Sequence, residues 1–378
     1  MELSKEITQY ISEHKDETLE LLKTLAKIPA PSNHEEKRAN FCKDWLEKQG
    51  AKGVYIDDAL NVVYPLNVTE DNNIVVFMAH TDVVFPDTEE LPLVIEEGLI
   101  KAPGIGDDTA NLVILLMVTK YIIANNIKPK NGGILIVCNS GEEGLGNLKG
   151  SRKIVDTFGK RITEFFSFDG GSFMICDDAV GSKRYKVEVL TEGGHSYGKF
   201  GNRNAIAYLA SMIETLYQMK VPDLGKTTYN VGTISGGTSV NTIAQQAEML
   251  YEFRSDKRKA LEIMDNHFNA VIECYKAKGI TVNVELLGER PCSIDIDQKK
   301  HQELLDITTE IVKKYFNEQP VIVAGSTDCN IPLSVGIPSI CVGTIIGDGA
   351  HTREEWVKID SLEPGTKLAF DLMMRYFG

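Results

Sequence analysis

Short apolar runs that alternate with longer helix-like segments are the feature that most constrains the fold of this chain. The run NIVVFMAHTD at residues 73–82 has the length of a buried strand, and NLVILLMVTKYIIANN at residues 111–126 has the length and apolar density of a buried helix. Two more strand-like runs, residues 133–140 and 164–171, flank the helix-like segment 148–159. Strands separated by helices predict a largely parallel sheet covered by helices on both faces.

A second pattern interrupts the first. The segment KRYKVEVLTE at residues 183–192 alternates apolar and polar residues, and the segments after it read as helix, strand, strand, helix and strand. This β-α-β-β-α-β order predicts a ferredoxin-like domain. The buried α/β pattern then returns. We therefore predict an α/β protein with a discontinuous larger domain, residues 1–182 and 292–378, and an inserted domain at residues 183–291.

Composition and charge narrow the environment and the partners. With 378 residues, of which 43% are hydrophobic and 25% charged, the chain has an ordinary globular composition. Its formal net charge of −14 argues against nucleic acids and anionic membranes as partners. The N-terminal segment reads as one amphipathic helix without the cationic start of a signal peptide, so a cytoplasmic location is expected. The seven cysteines include no C-x-x-C pair, which favours neither a disulfide framework nor a thiolate zinc site.

Acidic side chains and histidines collect where the predicted strands of the larger domain end. They are His80, Asp82, Asp107, Asp108, Glu142, Glu143, Asp169 and His351. Each has a plain structural explanation when taken alone, because Asp-Asp in a glycine loop is commonly a helix N-cap and Glu-Glu after a strand commonly begins a helix. Open α/β sheets, however, bind their ligands at the carboxyl ends of the strands. The joint pattern therefore predicts a single site.

The residue types at this site favour a particular chemistry. Two histidines with several carboxylates and no cysteine suit zinc or a similar divalent ion, whereas an all-oxygen set would favour calcium or magnesium. Two ions that share a bridging carboxylate need one histidine and one further carboxylate each. The residues that meet this count are His80, Asp107, Glu143, Asp169 and His351. Glu142 is left as a carboxylate beside the site that can carry a proton from water to a leaving amine.

Motifs spread over nearly the whole chain resemble those of a known family. They are AHTDVV, GIGDDTAN, SGEEGLGN, FDGG, GGHSYG, GGTSVNTIA, FRSD, GSTDCNIPLSVGIP and GAHTREEWV. In order and approximate spacing they are similar to the two-zinc peptidase family that includes peptidase T, carboxypeptidase G and succinyl-diaminopimelate desuccinylase. The resemblance implies a zinc-peptidase-like fold whose inserted domain serves as a lid and as the surface of a homodimer.

The resemblance also implies roles for the residues of the site. It assigns two divalent ions to each chain, zinc first, with cobalt or manganese as alternatives. Its ligands would be His80 and Asp169 on one ion, Glu143 and His351 on the other, and Asp107 as the bridge between them. Asp82 would orient His80, and Glu142 would act as the general base.

Further residues are implied to contact the substrate. His195 in GGHSYG would polarise the scissile carbonyl, and Asn241 and Arg254 would grip a substrate carboxylate. The plain alternatives are a flexible glycine turn around His195 and an ion pair between Arg254 and an acid such as Asp256. Ser326, in the GSTDCN loop, would line the cleft near the carboxylate, although this loop also reads as a helix N-terminus.

One departure refines the branch of the family. Thr109 stands where several relatives have lysine or serine, and the GIGDD region lacks the cysteine of the manganese-binding amidohydrolases. This favours the two-zinc peptidase branch over the auxin-conjugate and hippurate hydrolases. Histidines outside the motifs are expected at the surface: His14, His34, His267 and His301.

The leading functional prediction is a metal-dependent exopeptidase that acts on short peptides. The first alternative is a deacylase of N-acyl amino acids, because the same activation of water serves any amide bond. The second is a catalytically idle binding protein that keeps only the fold. Every residue that the resemblance assigns to the metal ions and to the base is present, which argues against the idle protein.

Overall fold

The computed structural model describes residues 2–378, except for the side chain of Leu145. The chain divides into two compact units. The larger unit comprises the residues up to Ala179 together with Ile294–Gly378, and the smaller unit comprises Val180–Ser293. The sequence predicts boundaries at 182/183 and 291/292 for this division.

Helices and strands are numbered in chain order. The helices are α1 (Lys5–Glu13), α2 (Lys15–Lys27), α3 (Glu36–Lys48), α4 (Ala110–Ala124), α5 (Lys149–Phe158), α6 (Ala205–Tyr217), α7 (Arg258–Ala277), α8 (Gln298–Phe316), α9 (Asn330–Ser334) and α10 (Leu362–Met373). The strands are β1 (Tyr55–Ile56), β2 (Val62–Leu66), β3 (Ile74–His80), β4 (Val94–Glu96), β5 (Leu99–Lys101), β6 (Gly133–Asn139), β7 (Ile162–Phe168), β8 (Met174–Ala179), β9 (Gly181–Leu190), β10 (Gly194–His195), β11 (Thr227–Gly236), β12 (Thr242–Ile243), β13 (Gln246–Ser255), β14 (Thr281–Arg290), β15 (Val321–Gly325), β16 (Ser339–Val342), β17 (Gly347–Asp348) and β18 (Trp356–Lys358).

The larger unit is built on a mixed sheet with the strand order β1-β2-β6-β3-β7-β16-β8-β15. Its middle strands β6, β3, β7 and β16 run parallel to one another, and antiparallel pairs lie on either side of them. Strands β3 and β6 are buried along their whole length, as strands covered on both faces must be. A smaller antiparallel sheet, β17-β18-β5-β4, lies in the same unit.

Helices cover both faces of the large sheet because alternate residues of each strand point to opposite sides. Phe77 of β3 lies in one apolar cluster with residues of α4 and α10. Its neighbours Val76 and Met78 lie in a second cluster with residues of α5 and α9. Helix α4 is buried along most of its length, which explains its nearly continuous apolar sequence.

The smaller unit has the order β9-α6-β11-β13-α7-β14, apart from the short strands β10 and β12, and thus the predicted β-α-β-β-α-β arrangement. Its antiparallel sheet has the strand order β11-β13-β9-β14, and α6 and α7 pack on one face with a separate apolar core. Strand β9 alternates buried and half-buried residues, as its sequence predicts.

Two local predictions were wrong. The N-terminal helix is not continuous, because the chain breaks at His14, whose Nδ1 lies 2.8 Å from the carbonyl oxygen of Tyr10. His301 is buried instead of exposed, since it lies on the inner side of α8 with Nε2 2.9 Å from the carbonyl oxygen of Asp177. Among the described residues, no helix combines the length and the apolar character that a membrane crossing requires.

Candidate metal centre

His80, the last residue of β3, lies at the centre of a cluster of acids. Its side chain is buried, and its Nε2 lies 2.9 Å from Asp107 Oδ1 and 3.9 Å from Asp169 Oδ1. Asp169 directly follows β7, which is the parallel neighbour of β3. The parallel pairing therefore brings these two side chains to the same edge of the sheet.

His351 lies beside the second carboxylate oxygen of Asp107. Its Nε2 lies 3.2 Å from Asp107 Oδ2 and 3.1 Å from Glu143 Oε1. Asp107 thus has one carboxylate oxygen beside each histidine. The structure brings together all five residues that the sequence predicts as metal ligands.

The donor atoms are close enough to share ions. Those of His80, Asp107 and Glu143 lie within 4.8 Å of one another, and so do those of His80, Asp108 and Asp169. Glu143 Oε1 is buried, and His351 Nε2 lies 3.1 Å from it, an ion pair when the imidazole is protonated. A buried carboxylate is costly unless it faces a cation, and a metal ion can take the place of the proton on the histidine. A mixed nitrogen and oxygen donor set of this kind fits zinc or a similar divalent ion.

The electrostatics of the cluster also favour a cation. Burial, together with the nearby Asp107 and Asp108, raises the pKa of Asp169 well above its usual range. Burial alone would raise the pKa of Asp107, but contacts with His351 and His80 outweigh it and lower that pKa. Asp107 and Glu143 raise the pKa of His351 to about 10. When no metal ion is bound, protonated histidines pair with the carboxylates. A divalent ion must displace these protons in order to bind, so metal ions and protons compete for the same atoms.

Asp82 follows β3 and supports the turn that carries both glutamates. Its Oδ1 and Oδ2 accept hydrogen bonds from the backbone N–H groups of Glu142 at 3.0 Å and Glu143 at 2.9 Å, and Oδ2 also accepts one from Ser32 Oγ at 2.7 Å. The Nδ1 of His80 lies 3.1 Å from the backbone carbonyl of Asp82 and 3.4 Å from its Oδ1. A proton on Nδ1 that faces Asp82 leaves Nε2 free to bind a metal.

Glu142 lies beside the cluster without belonging to the ligand groups. Its side chain is 6% exposed, and it adds to the burial and the other carboxylates that raise the pKa of Asp169. Asp82 holds its backbone in place. A buried carboxylate next to the donor atoms is in a position to exchange protons there.

Asp108, next to the predicted bridge, supports the fold of the centre. Its Oδ2 accepts a hydrogen bond from the backbone N–H of His80 at 2.8 Å, and its Oδ1 accepts one from Asn111 Nδ2 at 2.7 Å. The Oδ1 of Asn111 in turn accepts from the backbone N–H of Thr344 at 2.7 Å. Asn111 was not predicted as a site residue, although its place at the end of the GIGDDTAN motif was an available signal.

The predicted substrate residues of the smaller unit fall at opposite ends of its sheet. His195 pairs with Thr242 in the β10–β12 ladder, and the N–H of Ser196 donates to the carbonyl of Asn241 at 2.9 Å. His195 and Asn241 are therefore neighbours, and both are exposed. Arg254 lies near the far end of β13 and pairs with Ser182 at the start of β9.

The guanidinium of Arg254 is engaged by an acid of its own strand. Nε donates to Glu252 Oε1 at 3.1 Å, and Nη2 donates to Glu252 Oε2 at 3.0 Å. Glu252, and not Asp256, is thus its ion-pair partner. In the larger unit, Ser326 is half-buried in the loop between β15 and α9.

Glu355 is a supporting residue that sequence reasoning missed. It is 2% exposed, and its carboxylate accepts hydrogen bonds from the backbone N–H groups of Gly104 at 2.9 Å, Gly106 at 2.7 Å and Asp107 at 2.7 Å. Burial raises its pKa to about 7 against the effect of these donors. Its place in the GAHTREEWV motif was the available signal. Glu355 holds the turn that presents Asp107.

We predict that Glu355→Gln loosens this turn. The amide nitrogen of glutamine would face a backbone donor, so the turn should lose about 1–3 kcal/mol of stabilisation. Faster hydrogen exchange at the amides of Gly104, Gly106 and Asp107 would report the change. The exposed neighbour supplies the control, since Glu354→Gln should leave exchange at these amides as it is. Equal protection in both variants would contradict the role given to Glu355.

Known proteins share this architecture. The uncharacterized protein YqjE of Bacillus subtilis (strain 168) is 24% identical over 373 residues, and the match covers 91% of this chain and 94% of that protein. The crystal structure of a tripeptidase from Staphylococcus aureus has a TM-score of 0.75 at 21% identity, covering 96% of this chain and 98% of that one. Aminopeptidase PepT from Bacillus cereus ATCC 10987 has a TM-score of 0.70 at 20% identity, covering 95% and 98%.

These two structures establish the shared fold and confirm the predicted α/β class. The family described as Peptidase family M20/M25/M40 matches residues 76–375. This range includes every residue assigned above to the metal centre. Because the match spans most of the chain, the protein belongs to peptidase family M20/M25/M40, in agreement with the sequence motifs.

Proposed function

We propose that this protein is a metal-dependent exopeptidase that hydrolyses short peptides with two divalent ions, zinc in the first place. The observation that carries the proposal is the position of Asp107, with one carboxylate oxygen beside His80 and the other beside His351. A carboxylate with a histidine at each oxygen suits the bridge of a two-metal site. Membership of a peptidase family and the likeness to a tripeptidase and an aminopeptidase support an amide substrate.

The contacts support the ligand assignment that the sequence motifs imply. His80 and Asp169 would hold one ion, Glu143 and His351 would hold the other, and Asp107 would be shared. When bound, such ions lower the pKa of water towards neutrality and polarise a carbonyl oxygen. The backbone contacts of Asp82, Asp108 and Glu355 hold the ligand-bearing turns in place before any substrate binds.

Glu142 is proposed to carry the proton of the reaction. Hydrolysis forms a bond from a water oxygen to the carbonyl carbon and breaks the carbon–nitrogen bond, so a proton must move from the water to the leaving amine. The buried Glu142 carboxylate would accept that proton and return it to the nitrogen. Its backbone is fixed by Asp82, which keeps the acceptor in one place.

The smaller unit is proposed to supply substrate contacts as a lid, with His195 polarising the carbonyl and Asn241 and Arg254 binding a carboxylate. The loops of His195 and Asn241 lie at the Gln246 end of β13, and Arg254 is eight positions further along this strand. At about 3.3 Å per residue, the distance from Gln246 to Arg254 is about 26 Å. A tripeptide spans at most about 11 Å. The separation exceeds the length of such a substrate, which supports contacts from two chains and hence a homodimer. Ser326 would add a contact from the larger unit.

We predict that chelation abolishes peptide hydrolysis and that zinc, cobalt or manganese restores it, because the nucleophile depends on the lowered pKa of water. Dipeptides, tripeptides and N-acyl amino acids form the substrate panel. Hydrolysis of the acyl amino acids alone would favour the deacylase. Unchanged turnover in protein shown by elemental analysis to be metal-free would refute the metal assignment.

The adjacent glutamates should separate by metal content. We expect Glu142→Gln to keep its metal but to lose turnover by about 10²–10⁴-fold, because only proton transfer is removed. Glu143→Gln should lose metal from one site, and added zinc should partly restore the activity of this variant. Bound zinc per chain and turnover of a tripeptide decide the matter. Metal loss in Glu142→Gln with retention in Glu143→Gln would reverse the roles.

A mixed dimer tests whether His195 acts across subunits. Co-expression of His195→Ala and Glu142→Gln chains should restore about a quarter of wild-type turnover, because half of the dimers are mixed and each has one intact site. Glu142→Gln mixed with Glu143→Gln is the matched control, because both defects lie in the same half of the site and no mixed dimer is intact. No recovery in the first mixture, with dimers present, would mean that His195 acts within its own chain.

A further inference from the structure

A fully buried arginine lies behind the metal centre. Arg38 of α3 is 0% exposed, which is rare for arginine. Its Nε donates to the carbonyl of Ile28 at 2.8 Å, and its Nη1 donates to the carbonyl of Thr81 at 3.0 Å and to Thr109 Oγ1 at 3.1 Å. None of these partners was predicted as a site residue.

The contacts of Nη1 join two segments that carry metal ligands. Thr81 lies between His80 and Asp82 at the end of β3, and Thr109 follows Asp107 by two residues. The Thr109 hydroxyl also donates to the carbonyl of Gly104, at the start of the same turn. One nitrogen therefore bridges the end of β3 and the Asp107 turn.

A purely structural role for Arg38 would be to cap the carbonyl of Ile28 at the C-terminal end of α2. The surroundings of its guanidinium argue against this role alone. Its Nη2 is buried and has no acceptor among the described residues, so burial of the group is not fully repaid by hydrogen bonds. Burial lowers its pKa to about 10, while Cys42, Asp82, Glu355 and Asp108 act in the opposite direction. The guanidinium thus stays positive at neutral pH and faces the acids that support the centre.

We propose that Arg38 is a positioning residue for the metal centre, which acts through Thr81 and Thr109 to set His80 against Asp107. This inference rests on the proposed two-metal function. Metal affinity depends on how far the ligands are already in place, and loss of an outer partner typically lowers it by about 10–100-fold. It also gives a role to Thr109, the position at which the sequence departs from several relatives.

The test is the zinc affinity of the metal-free protein, measured by competition with a chromophoric chelator. Thr109→Val removes the hydroxyl that Arg38 contacts and should weaken zinc binding by about 10-fold or more. Thr109→Ser keeps the hydroxyl and should restore affinity to within about threefold of wild type. Thr119→Val is the matched control, because this buried threonine of α4 donates only within the helix, to the carbonyl of Leu115.

Thermal unfolding of the metal-free variants separates positioning from stability. Thr109→Val and Thr119→Val each remove a buried hydroxyl and should destabilise the protein, yet only the first should lose zinc affinity. Arg38→Met should lose at least as much affinity as Thr109→Val, and the loss in the double variant should be smaller than the sum of the two single losses, because both changes break the contact between Arg38 and Thr109.

Two outcomes would overturn the inference, and they differ in what else they affect. Equal zinc affinity of Thr109→Val and Thr119→Val, in a protein whose wild type binds zinc, would leave the proposed function intact and reduce Arg38 to a structural residue. Failure of the wild type to bind zinc, cobalt or manganese would remove the proposed function together with the inference. If Arg38→Met does not fold, the threonine variants still decide the matter.

Discussion

Repulsion between buried carboxylates at one edge of the sheet is the constraint on which the rest of the larger unit depends. Two like charges about 4 Å apart repel by about 4 kcal/mol at an effective dielectric constant of about 20. The donor atoms of Asp107 and Glu143 lie within 4.8 Å of each other, as do those of Asp108 and Asp169, so these acids need compensating groups. Asp107 has a histidine at each oxygen, and Asp82, Asp108 and Glu355 accept hydrogen bonds from backbone N–H groups. Chain segments far apart in sequence are held together by this compensation.

The compensation divides the acids into two kinds. The first kind comprises Asp82, Asp108 and Glu355. Their carboxylate oxygens accept hydrogen bonds from backbone and side-chain donors, which leaves little capacity to bind an ion. Glu143 and Asp169 lie against the histidines, and burial raises the pKa of both carboxyl groups. The second kind is suited to bind a cation, and the first kind to hold the turns on which the ligands sit. Arg38 belongs with the supporting groups, since it adds positive charge behind them.

This division explains what could and could not be predicted from the sequence. Strands β3, β6 and β7 and helix α4 follow from local apolar patterns, and the ligand set follows from acids and histidines at strand ends combined with the motifs. The partners of Asp82 and Glu355 do not follow, because the acceptor and its donors are far apart in the chain; Glu355 and Asp107 differ by 248 positions. The prediction that His301 is exposed was wrong for a related reason. Its partner is the backbone carbonyl of Asp177, and a backbone group gives no signal in the sequence. Residue type alone does not distinguish a ligand from a support.

The residues of the candidate metal centre come from both sides of the inserted unit in the sequence. Ser182 near the start of β9 pairs with Arg290 at the end of β14, so the two ends of the insertion lie side by side and can join neighbouring points of another fold. The proposed ligands His80, Asp107, Glu143 and Asp169 precede the insertion, and His351 follows it. The segment that supplies His351 also supplies Glu355, which holds the Asp107 turn. One short C-terminal segment therefore brings a proposed ligand and holds the turn of Asp107, so the cluster is complete only when the chain on both sides of the insertion has folded together.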